Sequence, residues 1–140
     1  MSEKEFNSVL IIGLGLIGSS LARALQEYKL VNIIFGLDNN RKNIQKCQEL
    51  GLLTEGFDDI KKFSQHFDLV IICTPLSTYK KIFSDLNKYV SKQTLITDVG
   101  STKMSVIEDF KSVVTNQYIK FVPGHPIAGL EKSGPDYGFA

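Results

Sequence analysis

The chain contains two histidines, and one of them has neighbours that suggest chemistry. His125 lies in Gly124-His125-Pro126-Ile127-Ala128-Gly129-Leu130-Glu131-Lys132-Ser133-Gly134, between a glycine and a proline, with a carboxylate and a hydroxyl close behind. Pro126 restricts His125 to extended backbone. Gly124 and Gly129 allow unusual turns on either side. An imidazole titrates near neutrality, so one fixed in this way is suited to taking a proton from a hydroxyl. His66, between Gln65 and Phe67, reads as a surface or structural residue.

A second chemical pattern lies near the start. Gly13-Leu14-Gly15-Leu16-Ile17-Gly18 has the GxGxxG spacing, which is weak evidence alone. Its context is stronger: an apolar run, Val9 to Ile12, precedes it, and an apolar helical pattern follows. Asp38 ends the next apolar run, twenty residues after Gly18. In this arrangement Gly13 permits the tight turn, Gly15 lets backbone approach a pyrophosphate, and Gly18 lets helix pack on strand. The pyrophosphate would face the free N–H groups and positive dipole end of the helix. Asp38 would accept hydrogen bonds from the adenosine ribose. A carboxylate there repels a 2′-phosphate, which favours NAD; Arg41, with Asn39 and Asn40, keeps NADP open. The plainer alternative is a glycine turn that only packs a helix on a strand.

The elements that must position these residues follow from periodicity. Strands are expected at Val9 to Ile12, Ile33 to Leu37, Leu69 to Cys73, Thr94 to Thr97 and Ile119 to Val122, with a weak one around Leu53 to Glu55. Helices are expected at Leu16 to Tyr28, Arg41 to Leu50 with Gly51 as its cap, Asp59 to Gln65, Ser77 to Tyr89 and Lys103 to Val114. Strands alternating with helices indicate βαβ units. Right-handed crossovers then give a Rossmann-type, doubly wound, mainly parallel α/β sheet with helices on both faces.

Such sheets bind ligands beyond the C-terminal strand ends. Cys73-Thr74-Pro75 and Thr97-Asp98-Val99-Gly100-Ser101 both fall there, so Cys73, Thr74, Pro75 and Ser101 are candidates for the nicotinamide half of the cleft. Thr74 could equally be a turn or capping hydroxyl, and Asp98 a helix cap. His125 follows the last strand and faces the same cleft.

Composition narrows the class. The 140 residues fit one domain, 1–140, with 43% hydrophobic and 22% charged residues. Sixteen basic and fifteen acidic residues leave a net charge of +1, giving no footprint for nucleic acid or membrane. Lys61-Lys62 and Lys80-Lys81 read as solvated helix faces. Cys47 and Cys73 lack metal-ligand spacing, and Cys73 reads as a buried small hydrophobe. No metal is expected. Met1 to Asn7 resembles no signal or transit peptide, and no apolar run could span a bilayer. A soluble cytoplasmic protein is expected.

GLGLIG near the start, Asp98-Val99-Gly100-Ser101-Thr102-Lys103 and PGHPIAGLEKSG together resemble the prephenate/arogenate (cyclohexadienyl) dehydrogenase family of tyrosine biosynthesis. The likeness runs from about Val9 to Gly134. It implies an oxidoreductase performing NAD(P)-dependent oxidative decarboxylation, of prephenate to 4-hydroxyphenylpyruvate or of arogenate to tyrosine. The family's catalytic histidine falls on His125, which would hydrogen-bond the substrate ring hydroxyl and act as base during hydride transfer. The family serine falls on Ser101, orienting histidine and substrate. The family glutamate falls on Glu131, near the substrate entrance.

Full-length relatives continue into a helical domain that forms a homodimer and supplies an arginine for the substrate carboxylates. Arg23 and Arg41 are the only arginines here, and both fall in the cofactor half. The expectation is a fragment: the nucleotide-binding domain, incomplete at its C-terminal end, without the dimerisation domain. A stand-alone NAD-binding regulatory module and another β-hydroxyacid-type dehydrogenase are the alternatives.

Overall fold

The computed structural model describes residues 4–63, 65–100 and 103–124. The order is β1 (Ser8–Ile12), α1 (Leu16–Glu27), β2 (Ile33–Leu37), α2 (Arg41–Glu49), β3 (Glu55–Phe57), β4 (Leu69–Ile72), α3 (Tyr79–Tyr89), β5 (Thr94–Asp98), α4 (Lys103–Val113) and β6 (Ile119–Phe121). Among the described residues the six strands form one sheet, ordered β3-β2-β1-β4-β5-β6, with every pairing parallel. The expected doubly wound fold is therefore present. Strand order reverses between β1 and β4, which opens a crevice beyond their C-terminal ends.

β1 is buried along its whole length, as its apolar run from Val9 to Ile12 requires of a central parallel strand. Its side chains alternate between two cores. Val9 and Ile11 pack with Leu14, Ala22, Ile44 and Cys47 beneath α1 and α2. Leu10 and Ile12 pack with Tyr79, Phe83, Leu86 and Val106 beneath α3 and α4. Asn40 caps α2, its side chain accepting from the Lys42 N–H at 3.0 Å. Gly51, with φ +70°, ends the helix as expected of a glycine in the left-handed region.

Two expected elements differ. The third strand lies at Glu55–Phe57 instead of Leu53 to Glu55. Leu52 is buried with Leu53 packed beside it, so the chain is still filling the core there; pairing begins where Glu55 meets Phe35. The helix expected over Asp59 to Gln65 is only a 3-10 turn, Ile60–Lys62, capped by Asp59. Phe63 leaves it in extended conformation and inserts its ring against Phe35, Phe57 and Phe67, with centroids 5.6, 4.3 and 5.0 Å away. Burial of an aromatic cluster outweighs a short run of helical propensity. Smaller shifts occur elsewhere: β4 stops at Ile72, and a 3-10 turn, Leu76–Thr78, precedes α3. Cys73 as a whole is partly exposed, with its side chain packed against the α1/α2 core. The chain from 125 to 140 lies outside the described residues.

Candidate functional site

The turn after β1 is built from backbone. Gly13 has φ +97°, and its N–H donates to the Leu37 carbonyl at 2.8 Å. A Cβ on Gly13 would lie 2.8 Å from both the Cys73 carbonyl oxygen and Thr74 Cγ2. A Cβ on Gly18 would overlap the Gly13 carbonyl oxygen. These glycines are fixed by packing within the chain. Gly15 is different: a Cβ there would meet nothing within 4 Å. The gap lies at the start of α1, where Gly15 is the cap residue and no side chain caps the helix. The first N–H groups of α1, with the positive end of its dipole, border that gap. Neutral backbone donors around an open space suit an anionic group such as a pyrophosphate. Leu14 is fully buried, whereas Leu16 and Ile17 are partly exposed at the helix start.

Asp38 stands beside this loop at the end of β2. Its Oδ2 accepts from the Leu14 N–H at 2.8 Å and from Asn43 Nδ2 at 3.2 Å; its Oδ1 accepts from the Asn40 N–H at 2.8 Å. The carboxylate thus ties the glycine loop to the start of α2 while staying part-exposed. A carboxylate has about four lone-pair positions, so capacity remains for a hydroxyl. Arg41, read from sequence as the residue that kept NADP open, points elsewhere. Its Nε and Nη2 lie 2.8 and 2.6 Å from Asp58 Oδ2.

At the end of β4, the Thr74 hydroxyl lies 2.7 Å from that of Thr78, which also reaches the Pro75 carbonyl at 2.6 Å. Thr74 therefore serves the turn that opens the Leu76–Thr78 segment. Burial first, then the charge of Asp98, pushes the Cys73 thiol up to about 12. A thiol in that state is a poor nucleophile.

Asp98 has a larger role than the sequence suggested. It is 2% exposed. Its Oδ2 accepts from Tyr79 OH at 3.1 Å and from the Gly100 N–H at 2.9 Å, and its Oδ1 accepts from the Gly124 N–H at 3.1 Å. Neither glycine has room for a side chain. A Cβ on Gly100 would lie 2.8 Å from Asp98 Oδ2 and 2.9 Å from Tyr79 OH; one on Gly124 would overlap the Asp98 carbonyl oxygen. Burial first, then the Asp98 charge, pushes the Tyr79 phenol up, so it stays a donor. One buried carboxylate thus joins the residue before Ser101 to the residue before His125. The Asp-x-Gly spacing could have indicated the turn bond to Gly100. Nothing local could have indicated Gly124 or Tyr79.

Ser101, His125 and Glu131 themselves lie outside the described residues. His66 lies 3.2 Å from Asp68 beside the start of β4, consistent with its structural reading. Among the described residues no group of three potential metal ligands occurs. No helix there is long and apolar enough to cross a membrane.

A sheet with a glycine turn at its reversal point is common to many nucleotide-binding proteins, so family membership rests on sequence likeness. The family model for the prephenate dehydrogenase nucleotide-binding domain matches residues 21–140. The chain belongs to the prephenate dehydrogenase family. It is 37% identical over 135 residues to the cyclohexadienyl dehydrogenase of Zymomonas mobilis, covering 96% of this chain and 45% of that protein. It superposes on prephenate dehydrogenase from Aquifex aeolicus, solved with hydroxyphenyl propionate and NAD+, with a TM-score of 0.85 and 35% identity. That match covers 99% of this chain and 47% of the other. Arogenate dehydrogenase from Synechocystis is also similar, with a TM-score of 0.81 at 27% identity. The chain spans about half the length of these prephenate dehydrogenase relatives.

Proposed function

We propose that this chain is the NAD-binding part of a dehydrogenase that oxidatively decarboxylates a cyclohexadienyl acid, prephenate or arogenate. The observation that carries the reading is the open space over Gly15, bordered by the uncapped start of α1. In this reading the pyrophosphate occupies that space against the Gly13–Gly18 turn, and Asp38 accepts from the adenosine ribose. Residues 73–75 and Ser101 border the nicotinamide side. Bound NAD supplies the hydride acceptor.

The chain's own residues act on the substrate proton and its placement. His125 accepts the proton of the ring hydroxyl, which requires a neutral imidazole. Ser101 orients that hydroxyl, and Glu131 stands at the substrate entrance. Loss of CO2 then aromatises the ring and supplies most of the drive, so the protein's main task is orientation. Asp98 fits this task as a positioning residue, because it holds the backbone immediately before both Ser101 and His125.

The carboxylates of such a substrate call for an arginine fork. Arg41 is engaged by Asp58, and Arg23 lies within α1. Calorimetric titration of NAD+, NADP+ and prephenate into the purified chain tests the reading. The expected result is binding of NAD+ and no binding of prephenate. Failure of NAD+ to bind would overturn it.

A further inference from the structure

Asp58 follows β3 directly, and β3 lies beside β2, whose end carries Asp38. The Asp38 N–H donates to the Phe57 carbonyl at 3.1 Å, so the two carboxylate-bearing residues leave adjacent strands at the same level of the sheet. Arg41 begins α2, three residues after Asp38. Its guanidinium is the group best suited to a phosphate at this corner, because it offers several donors in a fixed fork. Asp58 takes two of those donors on one oxygen. Its other oxygen lies 2.6 Å from Lys62 Nζ. The Asp58 side chain is 21% exposed under these two cations, while Arg41 remains 79% exposed and free to turn if released. Lys62 first, then Arg41, holds the Asp58 carboxyl below its usual range, so it stays charged at neutral pH.

We propose that Asp58 is a specificity-determining residue that favours NAD over NADP by drawing Arg41 and Lys62 away from the adenosine ribose corner. The proposal rests on the dinucleotide reading above. Asp38 disfavours a 2′-phosphate by repulsion where the ribose hydroxyls would bind. Asp58 acts differently: it engages the cations that could compensate for that repulsion, and adds a second negative charge beside them. NAD carries no group that needs those cations, so its affinity does not depend on Asp58.

The test measures dissociation constants for NAD+ and NADP+ with the unaltered chain, with Asp58→Asn, and with Asp58→Asn combined with Arg41→Ala. Asp58→Asn keeps the side-chain size and removes the charge. The expected result is NAD+ affinity within about twofold of the unaltered chain and NADP+ affinity raised roughly tenfold at low salt, as for a gained arginine–phosphate contact. The gain should shrink as salt rises and should be lost when Arg41→Ala is added. An unchanged NADP+ to NAD+ ratio in Asp58→Asn overturns the proposal, as does a gain that survives Arg41→Ala. If the unaltered chain binds neither dinucleotide, the underlying reading fails first, which is a distinguishable outcome.

Discussion

One methyl group added at Gly15, and one added separately at Gly18, should have opposite consequences. At Gly18 the new carbon would overlap the Gly13 carbonyl oxygen and lie 3.3 Å from Ile11 Cγ2. The obstacle is backbone in a turn whose own Gly13 has φ +97°, so it cannot rotate away. α1 must lift from β1, loosening the contacts of the buried Ser19 and Ala22. Overpacking of this kind costs about 1–3 kcal/mol, and a rigid obstacle places Gly18→Ala near the upper end. At Gly15 the new carbon meets nothing within 4 Å, and φ is −79°, which alanine tolerates. A cap glycine replaced by alanine loses about 0.5–1 kcal/mol, and the reduced freedom of the unfolded chain offsets it by about 0.4–1 kcal/mol. Net stability should therefore stay within about 0.5 kcal/mol. The same carbon, however, occupies the space assigned to the pyrophosphate. A comparable overpacking of about 1–3 kcal/mol would weaken NAD+ binding roughly 5- to 150-fold. Urea unfolding and NAD+ titration of both variants measure the two effects. A Gly15→Ala chain that binds NAD+ at full strength would falsify the placement of the cofactor. A Gly18→Ala chain of unaltered stability would refute the packing argument.

Asp98→Ala leaves two backbone N–H groups and the Tyr79 hydroxyl without their acceptor, and should cost about 3–5 kcal/mol in urea unfolding. Tyr79→Phe removes one of these bonds and should cost about 1–2 kcal/mol; equal losses for the two variants would contradict the clamp. Burial raises the Cys47 thiol from 9.0 to about 11 and the Cys73 thiol from 9.0 to about 12. Because the folded pKa values lie above the unfolded ones, this contribution is complete below pH 9 and is lost as pH rises through about 11 and 12. Unfolding free energy followed against pH should fall across that window, and iodoacetamide should label the folded chain much more slowly than the urea-unfolded chain at pH 8. In an active protein containing this chain, His125→Asn should reduce prephenate oxidation at least about 100-fold, read as NADH formation; retained turnover removes His125 from the proposed chemistry.

The fold was legible where one physical rule acted alone. The wholly apolar Val9 to Ile12 run could only be a strand buried on both faces, and the glycines behind it could only be a tight turn. Legibility failed where distant packing competed with local preference. Residues 59–65 carry a capping aspartate and a helical look, yet Phe63 is drawn into the ring cluster around Phe35. The site divides in the same way. The Gly15 space and the place of Asp38 follow from spacing. From sequence Asp98 reads as a cleft residue or a helix cap, because its partners Tyr79 and Gly124 are 19 and 26 residues away. From sequence Arg41 reads as a residue that keeps NADP open, because its pairing joins the start of α2 to Asp58 after β3, 17 residues away.

The complete burial of β1 has a consequence for the chain during its synthesis. β1 pairs on one side with β2, which follows within about thirty residues, and on the other with β4, sixty residues later. Until Leu69 to Ile72 have left the ribosome, β1 has an edge of unpaired backbone groups and a bare face carrying Leu10 and Ile12. An edge of that kind is a template for pairing with other nascent chains. The interval between the two pairings is therefore the period of greatest risk of misassembly, and substitutions that delay β4 should lower the yield of soluble protein more than their effect on final stability would suggest.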